Sequence, residues 1–398
     1  MDGRVSRRGF LAAGVAAALG GCAGRAGTPP VRNATGGLEP NATPPAPLDD
    51  AVLSSTWTAE VPGQFTLSTP GMDEETLYVG SGTQVTALTR ADGNAVWERR
   101  LGAMTHSFSP RVTEDVVVAA ARDVLNRRRV VDRGNRPSLT GLDADTGEPL
   151  WRERIPVSGS PVVDDGTVLV PLSGDETTAV SGRALSTGEE AWRATLSTPP
   201  VFSAPVVAGE GYYAVTVGDE DGGSRLVALT TGGTVRWTVT LDGVPHKGPT
   251  VDTAGDGTVY VGTDAGYLYA VGADGTVRWQ SSLGGGVNTT PVLDGDSVFA
   301  TTPSRVVALD AETGEGRWSG TVDNVSKTGL GLGGGMVHVG GNEVAAFDAD
   351  GTPRWRIELP GVAGTFGSPL YEAGTLYVGG CVKTDGSSRY DHTVYALE

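Results

Sequence analysis

From Ser55 onward the chain is written in short apolar runs, each alternating with polar residues and returning in a fixed order. One interval shows all of them. A Ser-Pro step opens SPVV (160–163), an Asp-Asp-Gly turn follows, and the alternating run TVLVPL (167–172) comes next. After a variable loop a third run ends in Ala184-Leu185, and Ser-Thr-Gly leads into a fourth run carrying Trp192. Alternation with period two predicts strands, and no stretch of useful length carries a helical period. The Asp-Gly and Thr-Gly pairs supply the positive φ that tight hairpin turns need. Each interval therefore predicts four antiparallel strands, A to D, with tryptophan on D.

The closing phrase recurs as LDADTGEPLW (142–151), ALSTGEEAW (184–192), ALTTGGTVRW (228–237), AVGADGTVRW (270–279), LDAETGEGRW (309–318) and AFDADGTPRW (346–355), with a looser ALTRADGNAVW (87–97). All eight tryptophans, Trp57, Trp97, Trp151, Trp192, Trp237, Trp279, Trp318 and Trp355, fall into one series spaced by 37–54 residues. That is the size of a propeller blade, and one blade cannot bury both faces alone. After Trp355 the chain supplies A (GSPLY, 367–371), B (TLYVGG, 375–380) and C (TVYALE, 393–398) but no D, whereas STWTAEV (55–61) is a D with nothing before it. The expectation is an all-β, eight-bladed β-propeller of four-stranded antiparallel blades over 51–398, its ring closed by the N-terminal strand joining the C-terminal blade. Closure also hides sheet edges that would invite aggregation.

The phrase resembles the signature of the pyrroloquinoline-quinone-type (PQQ-like) repeat, aliphatic-x-Leu-Asp-x-x-Thr-Gly-x-x-x-Trp, and the resemblance covers essentially all of 55–398. It implies eight blades around a central channel, with structural tryptophans docked between neighbouring blades. The family has two branches. One comprises dehydrogenases that hold the quinone and a calcium ion in the channel, commonly with adjacent cysteines and long inter-blade insertions. The other comprises binding scaffolds, among them the lipoprotein propeller of the bacterial outer-membrane assembly machine. This chain has no Cys-Cys pair and near-minimal blades, so the resemblance favours a scaffold without cofactor. PQQ with calcium and alcohol or sugar oxidation is the alternative, and small-ligand sensing a third. The one sizeable insertion, the basic VLNRRRVVDRGNRPS (124–138) of blade 2, reads as a solvated surface loop.

The N-terminus is an address rather than part of the fold. Ser6-Arg7-Arg8-Gly9-Phe10-Leu11 is a twin-arginine export signal, and the apolar stretch to Gly21 is shorter than the ~20 residues a spanning helix needs. Leu19-Gly20-Gly21-Cys22 resembles a lipobox, which implies lipidation at Cys22 and a protein anchored on the outer face of the cytoplasmic membrane. Residues 22–50, rich in Pro, Gly, Ala, Thr and Asn, read as a solvated linker. Sequons begin at Asn33, Asn41, Asn288 and Asn324.

Charge narrows the partners. The chain carries 47 acidic against 30 basic residues, a net −17, and only three of the basic residues are lysines. Such acidity resembles proteins of salt-loving microbes and excludes nucleic acid, which needs a basic stripe. The expected partners are the membrane, through the anchor, and a protein or envelope component; the propeller itself is expected to be monomeric. Beyond Cys22 the only cysteine is Cys381, so the mature chain has no internal disulfide.

Aligning the Ser/Thr-Pro steps places Lys247 and Lys327 at one repeat position, two residues before Pro249 and Gly329. His246 and Asn288 stand one residue earlier in their blades. Because strand A is the innermost, these four residues are expected to ring one mouth of the channel and to accept an anion or carboxylate. The alternative is that each lysine neutralises a nearby aspartate. No catalytic or metal set stands out: Gly329, Gly331 and Gly334 match G-x-G-x-x-G between strands rather than before a helix. Asp143-Ala144-Asp145-Thr146-Gly147 lacks the later ligands of a calcium loop.

Overall fold

The computed structural model describes residues 31–33, 54–62, 68–103, 105, 108–113, 115–122, 137–173, 178–197, 206–208, 211–217, 223–322, 325, 329–359, 362–383 and 390–398. The export signal, Cys22, Asn41, Asn324, Lys327 and residues 124–136 of the basic insertion lie outside them. No α-helix occurs among the described residues, and none is long and apolar enough to cross a membrane.

Eight sheets follow one another, each with four antiparallel strands ordered A-B-C-D. Blade 6 is typical: Val292–Asp294, Ser297–Thr302, Arg305–Asp310 and Gly316–Thr321. Blade 8 combines Val362–Glu372, Thr375–Lys383 and Tyr390–Leu397 with the N-terminal Ser55–Val61. Trp57 pairs with Ala396 and Val61 with His392. Where the other blades have a covalent C–D turn, blade 8 has two backbone hydrogen bonds, Ser54 N to Glu398 O (3.0 Å) and Glu398 N to Ser54 O (3.1 Å). The ring is therefore closed through the chain's own first propeller strand. Ser368 N donates to Thr69 Oγ1 (2.8 Å), joining blade 8 to blade 1 beside the axis.

The core is divided into eight layers, each between two blades. Trp279 and Tyr260 of blade 5 pack on Val298, Ala300, Val307 and Leu309 of blade 6. Val394 and Ala396 of blade 8 pack on Leu77 and Val79 of blade 1. The repeated phrase has one job in this geometry. Asp310 Oδ1 accepts from the Thr313 backbone N (2.8 Å) and hydroxyl (3.0 Å), fixing the turn. That turn delivers the Ala311 carbonyl to Trp279 Nε1 of the preceding blade (3.0 Å) and lays Gly314, at φ +71°, under the same indole. Seven tryptophans cover such a glycine, from Trp57 over Gly93 to Trp318 over Gly351. Trp355 faces the blade that lacks the turn and is buried among Leu376, Val378, Tyr395 and Leu397.

Strand B adds an aromatic ring against its own blade's tryptophan: Tyr78, Tyr213, Tyr260, Phe299 and Tyr377 all lie 5.6–6.0 Å from it. Blade 7 puts His338 there, 5.6 Å from Trp355 and stacked on Tyr371 at 5.3 Å. Burial holds this imidazole neutral, lowering its pKa below the ordinary 6.5, and Nε2 donates to the Gly333 carbonyl (3.1 Å). The unfolded chain takes up a proton near pH 6.5 that the fold does not. Stability is thus complete above that pH and declines as pH falls through it. Burial lowers the pKa of His392 in the same way. Melting temperatures recorded from about pH 8 down to about pH 5 are expected to fall below about pH 6.5. His338→Phe, which supplies the ring blade 6 has at this place, is expected to shallow that decline; an unaltered slope would assign it elsewhere.

Candidate functional site

The A strands of neighbouring blades contact one another around the ring, so they line the axis. Alternating strand direction then sorts the loops. The A–B and C–D turns share one face, and the D-to-A connections and B–C loops share the other, which carries the candidate residues. Between blades 5 and 6 the connection is tied to its neighbour: Val287 N, ahead of blade 6, donates to the Thr263 carbonyl of the blade 5 B–C loop (2.8 Å), and Leu283 N donates to Gly266 O (2.8 Å).

His246 and Lys247 lie on the connection into blade 5, and Asn288 on the adjacent one into blade 6. The two connections meet beside the axis, where the Thr250 hydroxyl donates to the Pro291 carbonyl. His246 is turned to Asp264, Nε2 to Oδ2 3.4 Å, and the same carboxylate accepts from Val244 N (2.6 Å). Asn288 is half-buried, and its Oδ1 is buried without a hydrogen-bond partner. The Lys247 side chain reaches solvent but stands among surrounding protein atoms that dehydrate its ammonium and lower its pKa. No carboxylate among the described residues pairs with it. The structure therefore sets Lys247 and Asn288 on adjacent connections of one face and leaves His246 occupied by an aspartate.

A further cation belongs with them. Arg111 follows Pro110 on the axis-lining strand of blade 2, where the other blades have Gly71, Val162, Val206, Thr250, Val292, Leu330 and Leu370. Its Nε donates to the Pro161 carbonyl of the next blade (3.1 Å), and burial lowers its pKa with no carboxylate contributing. Arg122, at the mouth end of strand B of the same blade, lies over the Phe108 ring (5.8 Å), and burial again lowers its pKa. The alignment that places Lys247 displays Arg111 as well, one residue beyond the proline rather than two before it. In a chain of net charge −17, the half-buried Arg111 and Arg122 and the exposed Lys247 have no acidic partner among the described residues. Such groups gain from an anion more than fully hydrated surface cations do.

A quinone with carboxylates would find cations here. For calcium, no three His, Cys, Asp or Glu side chains among the described residues cluster as a metal-binding group.

A family model described as outer membrane protein assembly factor BamB matches residues 48–217, 135–240, 222–324 and 302–398, which together span the propeller. No curated protein sequence gives a significant match. Among solved structures, BamB from Moraxella catarrhalis is similar at 18% identity and TM-score 0.65, over 87% of this chain and 98% of that one. A quinohemoprotein alcohol dehydrogenase from Comamonas testosteroni is similar at 14% identity and TM-score 0.68, over 87% of this chain and 76% of that one. The computationally designed Ika8 protein matches at 12% identity and TM-score 0.65, over 85% and 98% of the two chains. At such identities the likeness is one of fold, and this fold hosts unrelated activities.

Proposed function

The chain belongs to the family of outer membrane protein assembly factor BamB, and on that premise we propose that it is a membrane-tethered extracytoplasmic scaffold. Its channel mouth receives a carboxylate-bearing segment of a partner protein. Export by the twin-arginine route and lipidation at Cys22 supply the tether. The observation that carries the reading is the placing of Lys247 and Arg111, neither paired with a carboxylate among the described residues, on and below one mouth of a chain of net negative charge. The net negative charge of the chain disfavours acidic partners in general, so attraction at the mouth confers position as well as affinity. Lys327, at the matching repeat position of blade 7, is assigned to the same mouth.

A poly-glutamate peptide is the simplest probe. Its affinity for the protein is expected to fall about tenfold or more in the Lys247→Met/Lys327→Met double variant, the equivalent of ~1.4 kcal/mol. Affinity is also expected to decline as salt is raised. Equal affinity in both proteins would remove the mouth from the function. Titration with the free quinone, read by its absorbance, separates the dehydrogenase reading: a bound chromophore that oxidises alcohols would replace the scaffold with an enzyme.

A further inference from the structure

Among the described residues one blade carries a fifth strand. Val31–Asn33 pairs in parallel with the outer strand of blade 5, setting Val31 opposite Gln280, Arg32 opposite Ser281 and Asn33 opposite Ser282. The composition of 22–50 predicts only a solvated spacer, so this contact is selected by the edge rather than by the segment. The edges do differ. The three residues after tryptophan are Glu98-Arg99-Arg100 in blade 1 and Arg152-Glu153-Arg154 in blade 2, and they include Arg193 in blade 3, Arg356 and Glu358 in blade 7 and Glu60 in blade 8. In blades 4, 5 and 6 they are Thr238-Val239-Thr240, Gln280-Ser281-Ser282 and Ser319-Gly320-Thr321. Charges on an edge strand oppose strand addition, which would desolvate them, while an uncharged edge leaves its N–H and C=O groups available. The outer strands of blades 4, 5 and 6 do carry Arg236, Arg278 and Arg317 ahead of the tryptophan, but beyond it the rim is charged on five blades and uncharged on a continuous arc of three.

We propose that the segment preceding the propeller docks by strand addition on the uncharged stretch beyond the tryptophan of this arc, with Val31–Asn33 seated on Gln280–Ser282 of blade 5. The ring is thereby suspended from the membrane at the blade 5 rim, its mouth turned away from the lipid. The docking stands on the pairing itself, and the orientation rests on the Cys22 tether of the proposed function. Direction follows from the parallel register. The outer strand of blade 5 runs from the turn face to the mouth face, so its parallel neighbour arrives from the turn-face side. Nine residues lead from Cys22 to Val31, at most ~30 Å of extended chain. The lipid is therefore held near blade 5 and on the side opposite Lys247.

Two measurements test the two halves separately. In the full chain made soluble by Cys22→Ser, replacing Val31, Arg32 and Asn33 by proline removes every donor of the added strand. Amide exchange within 280–282 is expected to rise about tenfold or more, with 319–321 unchanged as the internal control. Unchanged exchange at 280–282 would overturn the docking. In lipid vesicles, a fluorophore is placed on the lipidated chain in a Cys381→Ser background. It sits at Ala254→Cys on the turn face of blade 5 or at Ala265→Cys on its mouth face. Quenching by spin-labelled lipid is expected to be several-fold stronger at 254. Equal or reversed quenching would overturn the orientation, and failure of the chain to partition into membranes would overturn the tether while leaving the docking to the exchange result.

Discussion

Gly314→Ala is expected to destabilise the propeller by ~3 kcal/mol or more, although it adds a single methyl group to a surface turn. Two costs combine. The residue sits at φ +71°, where a Cβ costs ~1–2 kcal/mol. The new carbon would also fall 2.5 Å from Cδ2 of Trp279, which is buried and bonded to the Ala311 carbonyl and has nowhere to retreat. Gly166→Ala separates the two terms. Its φ is nearly the same, +73°, but no atom lies within 4 Å of the added carbon. That variant is expected to lose only ~1–2 kcal/mol. Denaturant unfolding of the two proteins reads the difference directly, and equal losses would show that the tryptophan–glycine stack contributes nothing beyond backbone conformation.

Deleting residues 54–61 is expected to have the largest effect of all. Val61 and Ala59 are buried between blades 8 and 1, and Trp57 packs there over Gly93. Withdrawing burial of this kind costs ~1.5–3 kcal/mol for each large side chain, so the loss is on the order of 5 kcal/mol or more. The deletion also leaves Tyr390–Leu397 as a long, mostly buried strand with a bare edge. The truncated protein should lose its cooperative melting transition and form oligomers, visible by size exclusion. Retention of the intact protein's melting point in a monomer would mean that blade 8 stands on three strands.

Most of the architecture was legible because the repeat joins residues that touch. The step from Gly314 to Trp318 is the same in every copy of the phrase, so one phrase encodes both the turn and the surface on which the previous blade's tryptophan rests. The tryptophan of STWTAEV, with no such phrase before it, is equally informative, since Ser55–Val61 is the outer strand of blade 8. The site was legible only in part. Repeat alignment places His246 at the mouth, but its pairing with Asp264 depends on how a connection folds against a B–C loop. No local pattern encodes that contact. Arg111 is one charged residue in a series of apolar and small ones, and its burial is decided by the neighbouring blade that supplies Pro161 O. Docking of Val31–Asn33 has no pattern of its own, because the rule is written in the charges of eight separate outer strands.

Hydrogen exchange at residues 392–397 tests ring closure most directly. With Ser55–Val61 in place these amides belong to an inner strand, and protection equal to that of the corresponding blade 5 strand, Tyr267–Val271, is predicted; it should vanish when 54–61 are deleted. Fast exchange at 392–397 in the intact protein, at the rate of an unpaired edge, would contradict a closed ring of eight blades.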